Sequence, residues 1–228
     1  MARRRRTALG HISPDPALTN PDCLPIGEQS LRLRVCLTPT QKQTLFKGKT
    51  PAQLGCGTQA CVYEVPGSHT KVIKLTANPT DVAGLQQLQP TGVVPKVYRT
   101  FQLAKLHPSV SPRVYQDYAV FAIEVERLRP LSERDVEMYD ELRSGHGRGD
   151  PRYAELEATQ RAVFRADQRL RDAGFRWTDD QGANIGFDRQ GRVKILDVGY
   201  SEAQLQTNPA LLEGAVRRYV QRRRPRRV

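Results

Sequence analysis

The chain has 228 residues, of which 38% are hydrophobic, and a formal net charge of +12. This length suits one domain or two small lobes, and no apolar run is long enough to predict a membrane-spanning helix. The N-terminal arginines are not followed by an apolar segment, so they do not predict a secretory signal. We therefore expect an intracellular, cytoplasmic protein, with nuclear or host-cell delivery as further options.

Most of the positive charge lies at the two ends of the chain. Residues 3–6 are four arginines, and residues 217–228 contain seven more and no acid, so the remaining residues carry a net charge of only +1. Such tails suit contact with nucleic acid or another polyanion, an acidic protein, an anionic membrane or a nuclear import receptor. The alternative is a pair of solvated tails with weak, nonspecific attraction to polyanions.

Four cysteines occur, at Cys23, Cys36, Cys56 and Cys61, without a CxxC pair. Their spacing does not predict a structural zinc site. We interpret them as ordinary reduced thiols of an intracellular protein.

The first half of the chain predicts a small, mostly antiparallel sheet after a basic, Pro-rich, flexible arm over residues 1–27. Pro66-Gly67 marks a turn between two strands that are rich in β-branched residues. The predicted elements are a strand over 31–37, a strand–turn–strand over 53–76, one or two helical turns over 81–89, and strands over 94–103 and 118–128.

The second half predicts helices and a hairpin. A helix over 132–143 has Ser132 as its N-cap, and a longer helix over 150–174 has Asp150 as its cap. Short strands over 184–187 and 193–196 then form the hairpin.

Asp179, Asn184 and Asp197 flank this predicted hairpin, so their side chains can line one pocket. One acid can take a proton from a hydroxyl, while an amide and a second acid can hold magnesium ions that bind nucleotide phosphates. Asp180 is an alternative base, although it lies one residue away from the position that the spacing to Asn184 gives. The structural alternative is a loop of solvated acids with an Asn turn.

This order of residues resembles the protein kinase-like superfamily. Asp179 and Asn184 are spaced as Asp–x4–Asn, and the sequence Asp197-Val198-Gly199 starts thirteen residues after Asn184. Upstream, Gly55-Cys56-Gly57 resembles a glycine-rich phosphate turn, and Lys74 ends Val72-Ile73-Lys74 like the lysine of the third kinase strand.

The resemblance implies an α+β, bilobal protein kinase-like fold that binds ATP and Mg²⁺. The β-rich N-lobe would cover 28–126 and a truncated helical C-lobe 127–214, with an Arg-rich tail over 215–228. Catalysis would rest on Asp179 as the base and on Lys74, which would also hold the phosphates. Asn184 and Asp197 would bind the metal. The remaining nucleotide contacts would be Gly55, Gly57, Val62, Glu124, Val125 and Glu126, the last three through backbone groups beside adenine.

The chain also departs from the family pattern. No glutamate lies between Lys74 and Val94, so Asp81, a bound partner or the C-terminal part would have to supply the acid that pairs with the lysine. Gln181 stands where a basic residue normally helps to neutralise the transferring phosphoryl group. Only 31 residues follow Asp197, with one helix expected within 209–220, as in shortened kinases of bacterial effectors and phages.

The sequence therefore favours a minimal Ser/Thr protein kinase whose acceptor is a protein Ser/Thr hydroxyl and which works with an activating protein partner. The first alternative is a pseudokinase, or kinase-like binding module, that recruits an acidic partner or nucleic acid through its Arg-rich tails. A small-molecule kinase and a nucleic-acid binding protein are further alternatives.

Overall fold

The structure is a computed structural model that describes residues 11–13, 22–27, 34–57, 60–105, 119–147, 149–177, 179–198 and 200–201. It divides into two compact units, Met1–Val82 with Val97–Arg127, and Ala83–Lys96 with Leu128–Val228. The first unit is built on β-sheets and the second carries the longer helices. The predicted α+β class, with its β-rich N-terminal part, is confirmed. The arginine run, the helix predicted within 209–220 and the Arg-rich tail lie outside the described residues.

The first unit combines a five-stranded sheet, a small three-stranded sheet and a short helix. The five-stranded sheet has the order β4-β5-β6-β8-β7 and the small sheet has the order β1-β3-β2, and all of their pairs are antiparallel. The elements are β1 (His11–Ser13), β2 (Cys23–Pro25), β3 (Arg34–Cys36), α1 (Pro39–Phe46), β4 (Gln53–Cys56), β5 (Ala60–Glu64), β6 (Lys71–Thr76), β7 (Val97–Lys105) and β8 (Ala119–Glu126).

The two faces of the five-stranded sheet differ because side chains alternate along each strand. One face supplies Tyr63, Ile73 and Leu75 to a core that also contains Leu24 and Phe46. This face packs against the N-terminal strands and α1. The opposite face carries the alternate residues of β5 and β6.

The N-terminal segment is more ordered than its composition indicated. The prediction of a flexible arm over 1–27 was wrong for β1 and β2, which both pair with β3. Leu24 and Ile26 are buried in the core at 6% and 1% exposure. Apolar residues interleaved with the prolines therefore find a partner layer, which a Pro-rich composition does not reveal.

Helix α1 was missed from the sequence, although its start carries a capping box. Thr38 accepts a hydrogen bond from Gln41 N, the Gln41 side chain accepts one from Thr38 N, and Pro39 fills the first helical position. Of its residues only Leu45 and Phe46 are buried, so the helical apolar pattern is short.

The four cysteines form two disulfides, so the expectation of reduced thiols was wrong. Cys23 bonds to Cys36, and Cys56 bonds to Cys61. Each pair consists of directly opposed residues on neighbouring antiparallel strands. This juxtaposition depends on strand register, which cysteine spacing alone does not show.

The second unit carries the longer helices and two small sheets of orders β12-β11-β9 and β10-β13. Its boundary with the first unit falls within α2. The elements are α2 (Pro79–Gln87), β9 (Arg129–Pro130), α3 (Glu133–Arg143), α4 (Ala154–Asp172), β10 (Phe175–Arg176), β11 (Ile185–Phe187), β12 (Val193–Ile195) and β13 (Tyr200–Ser201).

The helix signals read from the sequence are confirmed in this unit. Ser132 caps α3 by accepting a hydrogen bond from Asp135 N. Asp150 caps a 3-10 turn, Pro151–Tyr153, that leads into α4, and Gly174 leaves α4 with a φ of 77°. Within the described part of the chain, no helix is both long and apolar enough to cross a membrane.

Gly84 allows close packing around α2. A Cβ atom at this position would lie 3.1 Å from Val198 Cγ2 and 3.4 Å from Phe175 Cε1. Val198 and Phe175 are both buried, at 1% and 2% exposure. In a close-packed interior neither the Val198 methyl group nor the Phe175 ring can move away from an added Cβ atom.

The substitution Gly84→Val should therefore destabilise the protein by about 1–3 kcal/mol through overpacking, as measured by thermal unfolding. Ala83→Val is the matched control, because Ala83 is exposed on the same helix. We expect the control to cost no more than about 0.7 kcal/mol, the scale of helix propensity. Equal losses in the two variants would contradict the packing argument.

Candidate active site

Lys74 lies in the middle of the five-stranded sheet on the face opposite to the apolar core. Its β6 position is directly opposed by Val62 of β5 and by Ile123 of β8. Opposed residues in a sheet share a face, so Val62 and Lys74 project on the same side. The sequence had assigned both to the nucleotide, and the register places them side by side.

Asp81 supplies the carboxylate that pairs with Lys74. The Lys74 Nζ atom lies 2.7 Å from Asp81 Oδ2, and the two side chains are only 15% and 9% exposed. Asp81 sits in the first turn of α2, and its Oδ1 atom is buried without a hydrogen-bond partner among the described residues. Of the alternatives raised by the missing glutamate, the structure therefore supports Asp81.

The glycine turn leaves its backbone open to approach. A Cβ atom on Gly55 or Gly57 would meet nothing within 4 Å, so packing inside the protein does not require glycine at either position. Gly57 N donates to Ala60 O at 2.8 Å, which closes the turn between β4 and β5. Thr58 and Gln59, at the tip, lie outside the described residues. This open surface suits a ligand that approaches the backbone closely.

The residues assigned to adenine divide between the two faces of β8. Val125 opposes Val72 and shares the face of Lys74. The Glu124 side chain lies on the other face, where it contacts Lys71 Nζ at 2.7 Å and Arg99 Nε at 3.5 Å.

The backbone of β8 is engaged in pairing along most of its length. Glu124 and Val125 pair with both β6 and β7, whereas the described register pairs Glu126 with Lys71 of β6 alone.

The second group of site residues is organised around the β11–β12 hairpin. Asn184 closes a 3-10 turn, Gly182–Asn184, and its Nδ2 atom donates to Asp179 O at 2.9 Å. Leu196 N donates to Asn184 O at 2.9 Å, which places Asn184 beside the residue that precedes Asp197. The hairpin thus brings together the parts of the chain that carry Asp179, Asn184 and Asp197, as the sequence predicted.

Asn184 and Asp197 have a donor set that fits Mg²⁺. The hydrogen bond to Asp179 O uses the nitrogen of the Asn184 amide and not its oxygen, and Asp197 is exposed. Carboxylate and amide oxygens are ligands that magnesium accepts, usually together with phosphate oxygens and water. Within the described ranges, no three His, Cys, Asp or Glu side chains cluster as a metal site.

Helix α3 supports the loop that carries Asp179, a role that the sequence did not reveal. Asp140 Oδ1 accepts a hydrogen bond from Gly182 N at 3.0 Å. Arg143 Nη1 donates to both carboxylate oxygens of Asp180, at 3.0 and 3.1 Å. Asp180 is therefore paired with Arg143, whereas Asp179 Oδ2 accepts a hydrogen bond from Gln181 Nε2 at 3.5 Å.

Tight packing explains why Gly182 lies between α3 and the hairpin. A Cβ atom on Gly182 would lie 3.1 Å from the Cα atom of Val136.

The pKa of Tyr139, on α3, is raised well above its usual range. Burial is the larger cause and the nearby Asp180 carboxylate the second, so the phenol stays neutral.

No family model matches the chain, and no curated protein matches it. Among solved structures it is similar to two crystal structures of WbdD, one of them a co-crystal with the kinase inhibitor LY294002, with TM-scores of 0.33 and identities of 11% and 12%. The match covers 68% of this chain and 35% of WbdD, so the chain spans about a third of that protein.

The choline kinase LicA from Streptococcus pneumoniae has a TM-score of 0.31 and 15% identity, over 79% of this chain and 78% of that protein. Similarity at this level does not show which activity or which substrate this chain has.

The substitution Asp81→Asn should lower the free energy of unfolding by about 3 kcal/mol, because it removes the carboxylate charge 2.7 Å from the largely buried Lys74 ammonium. Chemical denaturation measures the loss. In the double variant Lys74→Met/Asp81→Asn the loss should be smaller than the sum of the two single losses.

The control for the ion pair is Arg161→Gln, which removes the exposed Arg161–Glu157 contact. We expect a change within about 0.5 kcal/mol. If the loss of stability in the double variant equals the sum of the losses in the Lys74 and Asp81 single variants, the proposed interaction between the two side chains is contradicted.

The substitution Asp140→Ala should accelerate hydrogen exchange of the Gly182 amide about tenfold, because the N–H group loses a carboxylate acceptor. NMR-detected exchange measures this directly. Asp140→Asn keeps an oxygen acceptor and should have a smaller effect. An unchanged exchange rate in Asp140→Ala would show that α3 does not hold the loop.

Proposed function

We propose that the protein is an ATP- and Mg²⁺-dependent phosphotransferase that acts on serine or threonine hydroxyls of proteins. The observation that carries this proposal is the Lys74–Asp81 ion pair, with Nζ and Oδ2 2.7 Å apart and both side chains largely buried. Desolvating two charges is costly, and a surface lysine needs no such partner. A lysine fixed in this way suits the binding of phosphate oxygens.

Each site residue has a defined task in this proposal. Bound ATP with Mg²⁺ supplies the phosphoryl group, and Lys74, oriented by Asp81, binds phosphate oxygens. Asp179 orients the acceptor hydroxyl and takes its proton. Asn184 and Asp197 provide oxygen ligands to the metal.

The turn and the sheet contribute to nucleotide binding without charged side chains. The lack of a side chain at Gly55 and Gly57 allows phosphates to approach the backbone closely. Val62 and Val125 present apolar surface on the face of Lys74, which suits an adenine ring. Backbone groups of Glu124, Val125 or Glu126 would add the contact with adenine.

Neutral Gln181 favours a protein partner that activates the enzyme. The basic residue expected there would stabilise the transferring phosphoryl group. Arg143 reaches the same loop, but Asp180 engages its guanidinium. We therefore expect slow transfer by the isolated chain and faster transfer when a partner supplies a cation. The Arg-rich tails are the proposed contact for an acidic partner or another polyanion.

The test is transfer of labelled γ-phosphate from ATP to the chain itself and to a library of Ser- and Thr-containing peptides. Asp179→Asn should slow transfer at least about 10²-fold, the scale of general base catalysis. Asp197→Ala should abolish it through loss of a metal ligand. Phosphoamino acid analysis should find phosphoserine or phosphothreonine.

Asp180→Asn is the matched control, because it removes a neighbouring carboxylate that pairs with Arg143. It should retain transfer within a few-fold of wild type. Equal incorporation by the wild type and Asp197→Ala would contradict the proposal. Magnesium-dependent ATP binding without any transfer would instead support a kinase-like binding module.

A further inference from the structure

The Cys56–Cys61 disulfide closes the base of the glycine turn. Cys56 ends β4, Cys61 lies in β5, and the two residues oppose each other with Cα atoms 4.1 Å apart. The residues between them are the turn itself, which the bond from Gly57 N to Ala60 O also closes. A covalent bond therefore restrains the segment assigned to nucleotide phosphates.

The two disulfides of the chain differ in access. Cys23 and Cys36 are both buried, at 3% and 5% exposure. Cys61 is fully buried, with 0% exposure. Cys56 is partly exposed, and the next residue, Gly57, is exposed. Thiol–disulfide exchange requires that a thiolate reach one of the sulfur atoms. Cys56 is therefore the most exposed of the four cysteine residues, although its side chain also packs against the core of the first unit.

We propose that the Cys56–Cys61 bond is a redox modification site that sets the nucleotide affinity of the glycine turn. This inference rests on the proposed function. The reactant is a dithiol: one of its thiolates attacks the Cys56 sulfur and Cys61 leaves as a thiolate that takes up a proton. The second thiol of the reductant then displaces Cys56, so two electrons pass to the protein cysteines and the dithiol becomes a disulfide.

Oxidation tightens nucleotide binding because it orders the turn in advance. A restrained loop loses less conformational entropy when a ligand orders it. Reduction removes the restraint from the ends of a segment that contains Gly57, and a glycine backbone has the greatest freedom to lose. The β5–β6 pairing next to the turn does not depend on the bond, so the sheet and Lys74 remain in place.

The experiment measures the affinity for Mg²⁺ and a non-hydrolysable ATP analogue by calorimetry, on oxidised protein and after graded reduction with dithiothreitol. Differential alkylation and mass mapping give the state of each cysteine pair. Reduction of Cys56–Cys61 should precede reduction of Cys23–Cys36 and raise Kd about tenfold. Cys56→Ser/Cys61→Ser should show the weaker affinity at all redox states.

Cys23→Ser/Cys36→Ser is the matched control, and it should keep both the affinity of the oxidised protein and its response to reduction. Equal affinity before and after mapped reduction of Cys56–Cys61 would overturn this inference and leave the proposed function intact. Earlier reduction of Cys23–Cys36 would also count against it. Failure of the nucleotide to bind in any state would overturn both proposals.

Discussion

The antiparallel register of β6 between β5 and β8 is the constraint on which the rest of the first unit depends. Because side chains alternate, the register that places Ile73 and Leu75 in the core also places Lys74 on the opposite face. A shift by one residue would turn the lysine into the core and expose both apolar side chains. The same apolar pattern that folds the sheet therefore positions the lysine.

The short connection after β6 completes this arrangement. Strand β6 ends at Thr76, whose hydroxyl oxygen accepts a hydrogen bond from Asn78 N, and α2 begins at Pro79. So short a link places an acid in the first turn of α2 within reach of a lysine near the end of β6. Asp81 thus pairs with Lys74 across this short connection. In the second unit the β11–β12 hairpin and α3 hold Asn184 and the loop beside it in a comparable way.

The sequence predicted those parts of the fold that local patterns determine. The five-stranded sheet, α3 with its Ser132 cap and the hairpin follow from alternation, capping and turn signals. The cystine pairs and the Asp140–Gly182 bond could not be predicted, because each joins residues whose proximity depends on tertiary packing. Helix α1 had a readable cap, but its apolar face was too short to signal a helix.

The central proposal is that Lys74 binds nucleotide phosphates and that Asn184 and Asp197 bind a magnesium ion. A crystal structure of the protein with Mg²⁺ and a non-hydrolysable ATP analogue tests it most directly. The account predicts that Lys74 Nζ contacts phosphate oxygens and that Asn184 and Asp197 coordinate a magnesium ion bound to the same phosphates. A nucleotide bound away from Lys74, or a metal ion held by other residues, would contradict it.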